Sequence, residues 1–127
     1  WYGPDKKPFA AMDEKDALNK AEKFYKNRLG FWLSDRYAGG AAIFLRCAAK
    51  SQHHNLFLIW GRDGNKRYHH TAFEVDEIDA AHKELGDMGV ECTEIQTRND
   101  GQRAFYLNDP DGNRIEICTT SGFGVLV

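Results

Sequence analysis

Apolar positions along the chain fall into two rounds of one pattern: a stretch with helical spacing, then three short runs with strand-like alternation. Between residues 13 and 28, Ala17, Leu18, Ala21, Phe24 and Tyr25, followed by Leu29, recur at the intervals of one helix face, which predicts an amphipathic helix. Asp13 is placed to cap its free amides, Asp16 suits the dipole of its first turn, and Gly30 can take the left-handed conformation past its end. A second helix repeats the scheme, with Asp76 as the candidate cap, Ile78, Ala81, Leu85 and Met88 as the apolar stripe and Gly89 as the stop. Extended runs are expected at 31–37, 42–47 and 55–60 after the first helix and at 90–96, 104–107 and 114–118 after the second. The turns between them fall at Gly39-Gly40, Asn99-Asp100-Gly101 and Asp109-Pro110-Asp111-Gly112.

A further run at 68–75 precedes the second helix, and 8–12 holds the matching place before the first. The pattern is therefore a duplicated βαβββ, an α+β fold with one module at about 8–61 and another at about 67–120 inside a single domain 1–127. Gly30 and Gly89, which end the two helices, are 59 residues apart and set the offset between modules.

Composition narrows the partners. Seventeen Lys and Arg against nineteen Asp and Glu give a net charge of -2, which argues against nucleic acid and against an anionic membrane surface. Apolar runs such as 41–45 and 56–60 fall far short of the ~18 residues a membrane-spanning helix needs. Residues 1–9 are polar and contain proline, so no secretory leader is expected there. Cys47, Cys92 and Cys118 match no zinc spacing and are read as reduced packing thiols, which points to the cytoplasm.

Strand alternation singles out the candidate chemistry. In 114–118 the isoleucines are expected under the helices, leaving Arg114, Glu116 and Cys118 on the other face. In 70–75, Phe73 and Val75 mark the helix side and His70, Ala72 and Glu74 turn away. If the modules pair their sheets into a cleft, His70 and Glu116 reach its wall from neighbouring strands, and an imidazole with a carboxylate suits iron, manganese, zinc or nickel alike. The same residues also fit a histidine hydrogen-bonded to a glutamate at a sheet rim. Four of the five histidines fall in the pairs His53-His54 and His69-His70, of which at most one each can face a given site; His82 is expected on a helix surface. Phe44, Phe57, Trp60, Phe105 and Tyr106 are available to line a pocket or to fill the core.

The stretches Phe24-Tyr25 with Leu29-Gly30-Phe31, Phe44-Leu45-Arg46-Cys47, His53-His54-Asn55-Leu56-Phe57-Leu58, His69-His70-Thr71-Ala72-Phe73-Glu74-Val75 and the segment 105–116 together resemble the vicinal oxygen chelate superfamily. More narrowly they resemble the catalytic C-terminal half of type I extradiol dioxygenases, the catechol 2,3-dioxygenase group. The resemblance covers about residues 14–120 and implies a glyoxalase/dioxygenase-like fold, a small catecholic substrate with O2, Fe(II) or else Mn(II) or another divalent ion, and assembly as a homo-oligomer. It makes His70 and Glu116 two of the three ligands of a 2-His-1-carboxylate site, which leaves metal positions open for a catechol and dioxygen. It makes His54 the acid/base histidine, Tyr106 the tyrosine that hydrogen-bonds a substrate oxygen, and Asn99 a polar residue lining the pocket. One departure stands out. The third ligand of the family is a histidine on the first strand, but the matching positions hold Phe9, Ala10 and Ala11, and no histidine precedes His53. Asp13 is the nearest carboxylate. An incomplete triad also fits a small-molecule binding protein of the bleomycin-resistance type, and a glyoxalase-like lyase or isomerase stands third.

Overall fold

The computed structural model describes residues 14–37, 40–59, 68–122 and 125–126. Their secondary structure runs α1 (Glu14–Leu29), β1 (Trp32–Arg36), β2 (Ala42–Arg46), β3 (Ser51–Gln52), β4 (Leu56–Ile59), β5 (Thr71–Glu74), α2 (Ile78–Asp87), β6 (Gln96–Thr97), β7 (Arg103–Asn108), β8 (Arg114–Cys118) and β9 (Val125–Leu126). Contacts divide these into two compact units, the described residues up to Ile59 with 125–126, and those from Tyr68 to Gly122.

In the first unit, β1, β2 and β4 form an antiparallel sheet in that order, with a bulge between Leu33 and Asp35. Alternation along β2 and β4 sends Ile43, Leu45, Leu56 and Leu58 toward Leu18 of α1, and Tyr25, Phe31 and Leu33 close around them. Ile43 and Leu45 are fully buried, each worth roughly 2–3 kcal/mol of transfer free energy. The α1 stripe is narrower than its sequence suggests. Ala17 and Leu18 are buried, but Phe24 and Leu29 are exposed, and Glu22 lies buried instead because Arg36 (2.5 Å) and Lys26 (3.4 Å) neutralise its carboxylate. Between β2 and β4, β3 pairs antiparallel with β9.

The second unit is a full βαβββ. Its sheet has the order β5-β8-β7-β6, with β5 parallel to β8 and the other pairs antiparallel. α2 lies on β7: Asp79 forms a two-pronged ion pair with Arg103 (2.6 and 2.8 Å), and His82 meets the fully buried Phe105 edge-on at 4.8 Å while bonding the Thr93 carbonyl at 2.9 Å. His82 is thus half-buried in the helix–sheet seam rather than a helix-surface residue. The N-cap of α2 is Glu77 without a side-chain cap bond, not Asp76, and Met88 at its far end is exposed. Gly30 (φ 72°) and Gly89 (φ 79°) end the helices in the left-handed conformation only glycine adopts readily.

Other expectations need correction. The run 90–96 is strand only at Gln96–Thr97, because 90–95 is tied to β7 at a single point, Thr93, whose N–H and hydroxyl both bond the Tyr106 backbone at 2.9 Å. Phe73 is exposed, since β5 is a sheet edge and α2 covers β7 instead. On β8 it is Glu116 and Cys118 that are buried while Ile115 and Ile117 are only half-buried, the reverse of the expected depth. Of the cysteines, all free, Cys118 is buried, but Cys47 is exposed and bonds the Asn55 side chain at 3.1 Å, so it is no packing thiol. The expected strand 8–12 and the turn residue Gly39 lie outside the described residues, as do Trp60 and the expected module boundary 61–67.

Candidate functional site

The second unit brings three of the singled-out residues together. Parallel pairing of β5 with β8 sets Ala72 opposite Glu116, and antiparallel pairing of β7 with β8 sets Tyr106 opposite Glu116 from the other side. Residues at the same level of a pleated sheet share a face, so Glu116 stands between the β5 entry and Tyr106. His70, two residues before Ala72 and just ahead of the strand, reaches over so that its Nε2 lies 2.8 Å from Glu116 Oε2. The Glu116 side chain is 4% exposed and that of His70 25%. Tyr106 meets the His70 ring edge-on at 5.9 Å, and the Arg114 guanidinium covers the tyrosine ring at 4.9 Å. On its other nitrogen, His70 Nδ1 lies 2.5 Å from His69 Nδ1.

The residue that sequence reasoning missed is Arg98. Its Nη2 donates to Glu116 Oε1 and to the Tyr106 hydroxyl, both at 2.8 Å, and its Nη1 donates to Gln102 Oε1 at 2.5 Å. Burial works against the charge of Arg98, but the facing Glu116 and Tyr106 outweigh it and hold its pKa above the usual value. Gln102 is 9% exposed and is itself fixed, its amide donating to the Thr119 carbonyl at 2.9 Å. Strand alternation could have found Arg98. A turn at 99–101 sets residue 98 across from 102, and Gln102, Ala104 and Tyr106 alternate onto the Glu116 face. Two residues beyond Glu116, burial and the nearby carboxylate push the Cys118 thiol up to about 11, so it stays protonated at neutral pH.

Asn99 is an exposed residue of the turn. His54 belongs to the first unit, where its ring packs against Phe44 at 5.0 Å and Phe57 at 6.3 Å and its Nδ1 lies 3.1 Å from Nδ1 of the buried His53. Phe44 and Phe57 stack at 4.5 Å, with Phe57 partly exposed, whereas Phe105 is core. Phe9, Ala10, Ala11 and Asp13 lie outside the described residues.

Two donors fit a divalent ion. Ligands in adjacent positions of one metal, each about 2.1 Å away, are themselves about 3 Å apart, and His70 Nε2 with Glu116 Oε2 matches that spacing. A ligating His70 keeps its proton on Nδ1, facing His69, the outer partner that a metal-bound imidazole uses. Among the described residues no group of three or more His, Cys, Asp or Glu is placed to hold a metal.

The model of the Glyoxalase/Bleomycin resistance protein/Dioxygenase superfamily matches residues 15–117, and the chain belongs to that superfamily. It is 36% identical over 115 residues to 2,2',3-trihydroxybiphenyl dioxygenase of Sphingomonas paucimobilis, covering 83% of this chain and 37% of that one. Over 59 residues it is 37% identical to metallothiol transferase FosB of Bacillus licheniformis, covering 44% of this chain and 38% of that one. The crystal structure of 2,2',3-trihydroxybiphenyl 1,2-dioxygenase from Sphingomonas wittichii RW1 superimposes with a TM-score of 0.63 at 29% identity, covering 84% of this chain and 39% of that one. The chain thus spans little more than a third of the length of each of these three proteins. The α+β architecture is the vicinal oxygen chelate fold, whose members bind divalent metals such as Fe(II) or Mn(II). No helix among the described residues is long and apolar enough to cross a membrane.

Proposed function

We propose that the chain is the catalytic part of an iron(II)-dependent extradiol dioxygenase that opens a catechol-like ring with O2. The observation that carries this reading is the meeting of His70, Glu116 and Tyr106 on one face of the second unit, two metal-type donors beside a phenol. The trihydroxybiphenyl dioxygenases, by sequence and by structure, support it further.

Iron, when bound, would supply Lewis-acid and redox chemistry for the reaction of a catechol with O2. His70 Nε2 and Glu116 Oε2 would hold the ion, and His69, at 2.5 Å from His70 Nδ1, would fix the His70 tautomer. The Tyr106 hydroxyl accepts its bond from Arg98, so its own proton is free to point at a substrate oxygen. The acid/base role falls to His54 by the family resemblance, and within the first unit Phe44 and Phe57 hold its ring. Asn99, exposed in the turn beside Arg98, is the polar residue that the family resemblance assigns to the pocket.

Oxygen uptake with a series of substituted catechols, after anaerobic loading with iron(II), tests the reading. Ring cleavage is expected in the wild type and a loss of at least about a hundredfold in kcat for His54→Phe, within the range general acid/base groups contribute. Undiminished turnover in that variant would remove the acid/base role. A second reading, a metal-free binding protein of the bleomycin-resistance type, is favoured by the guanidinium already seated on Glu116. Tight binding of an aromatic ligand without oxygen uptake, whether or not iron is supplied, would select it.

A further inference from the structure

Glu116 carries its carboxylate almost out of solvent, and each oxygen has a separate partner: Oε2 faces His70 Nε2 and Oε1 accepts from Arg98 Nη2, both at 2.8 Å. A carboxylate at that depth needs a compensating cation, and in the described structure Arg98 is that cation. Its seat is a built one. Gln102, itself nearly buried and fixed to the Thr119 carbonyl, takes Nη1, and the Arg98 backbone N–H bonds the Gln102 carbonyl at 2.8 Å. The same guanidinium also holds the Tyr106 hydroxyl, so one side chain keeps carboxylate and phenol in place.

We propose that Arg98 is a placeholder cation: it holds Glu116 and Tyr106 in position while the site is metal-free, and it lowers the affinity of the site for divalent ions. The proposal rests on the reading of His70 and Glu116 as metal ligands. A divalent ion at those two donors comes within a few ångströms of the guanidinium, and the repulsion is only partly screened where the carboxylate is buried. Arg98 therefore acts in opposite senses on two properties. It stabilises the metal-free protein by pairing a buried charge, and it weakens metal binding by competing for that charge. A residue that merely braces the fold, or merely orients a ligand, would support both.

The experiment uses chelator-treated full chain and Mn(II) as the probe, with free Mn(II) followed by electron paramagnetic resonance and thermal unfolding measured with and without the metal. Arg98→Gln should bind Mn(II) at least about tenfold more tightly than wild type, with a lower Tm when metal-free and a larger rise in Tm on loading. Arg98→Lys, which keeps the charge, should stay close to wild type, and adding Glu116→Gln to Arg98→Gln should abolish the gain. Should Arg98→Gln fail to fold, Gln102→Leu takes its place, since it loosens the anchor while leaving the charge, and a smaller gain in affinity is expected. Unchanged or weaker Mn(II) binding in the folded variant, with binding still lost in Glu116→Gln, would overturn the placeholder role and leave the ligand assignment standing. If neither wild type nor variant takes up Mn(II) in a Glu116-dependent way, the ligand assignment itself fails and the placeholder role goes with it.

Discussion

At the scale of single residues, burial and partner decide what each side chain does. Phe105 is fully buried beneath α2, and truncation to alanine should cost about 3–5 kcal/mol in urea unfolding, a cavity cost in a site that His82 and the strand pairing keep from collapsing. A cost below about 1 kcal/mol would mean that the α2–β7 seam is not packed as described. Gly122 has no room for a side chain, because a Cβ would lie 1.6 Å from the Asp100 backbone oxygen. Gly122→Ala should therefore destabilise by roughly 1–3 kcal/mol through forced backbone movement, and a neutral effect would show that this approach is not close. Glu116 differs from both: it is a buried charge that persists because His70 and Arg98 face its two oxygens. Alternation along the strands put His70 and Glu116 on one face, since alternation is a local rule, whereas Tyr106 was named only by the family resemblance and its place opposite Glu116 follows from the β7–β8 register. Arg98 was missed because the residue stands at a turn, where alternation has to be carried across the hairpin before its face is known.

At the scale of elements, the C-terminal ends of the helices were legible because a glycine in the left-handed conformation is a strong local signal, whereas the N-cap of α2 and the helix faces were not. Phe24, Leu29 and Met88 follow helical spacing yet are exposed, since spacing names a face and not the extent of what covers it. The 90–96 run shows the same limit for strands: its alternation breaks at Thr93-Glu94, and a ladder needs a partner over several residues where Thr93 alone finds one. The link between α2 and β7 has a titratable part. The Arg103 guanidinium holds the Asp79 carboxyl below its ordinary pKa of 3.8. A carboxyl with a depressed folded pKa gives stability that is present above the unfolded pKa and lost as pH falls through the folded one. Asp79→Asn should accordingly lower the Tm at pH 7 and make progressively less difference as pH drops below about 4. The exposure of the pair keeps the effect small. An equal deficit at pH 7 and at pH 2 would show that the ion pair is not its source.

At the scale of the whole molecule, a βαβββ unit in this superfamily presents one face of a mixed sheet on which donors from different strands can converge. The second unit does this with an imidazole, a carboxylate, a phenol and a guanidinium, each delivered by a different segment: the approach to β5, then β8, β7 and the turn after β6. Both glycine stops stand where the pattern put them and the second unit is a full βαβββ, while the strand expected at 8–12 lies outside the described residues and its stretch Phe9-Ala10-Ala11 offers no metal donor. The central claim is that His70 and Glu116 form the metal-holding pair, and anaerobic titration of the purified chain with iron(II) tests it most directly. One equivalent is expected in the wild type, with affinity reduced at least about tenfold in His70→Ala and in Glu116→Ala. Iron binding of the same strength in both variants, or none in the wild type, would contradict it.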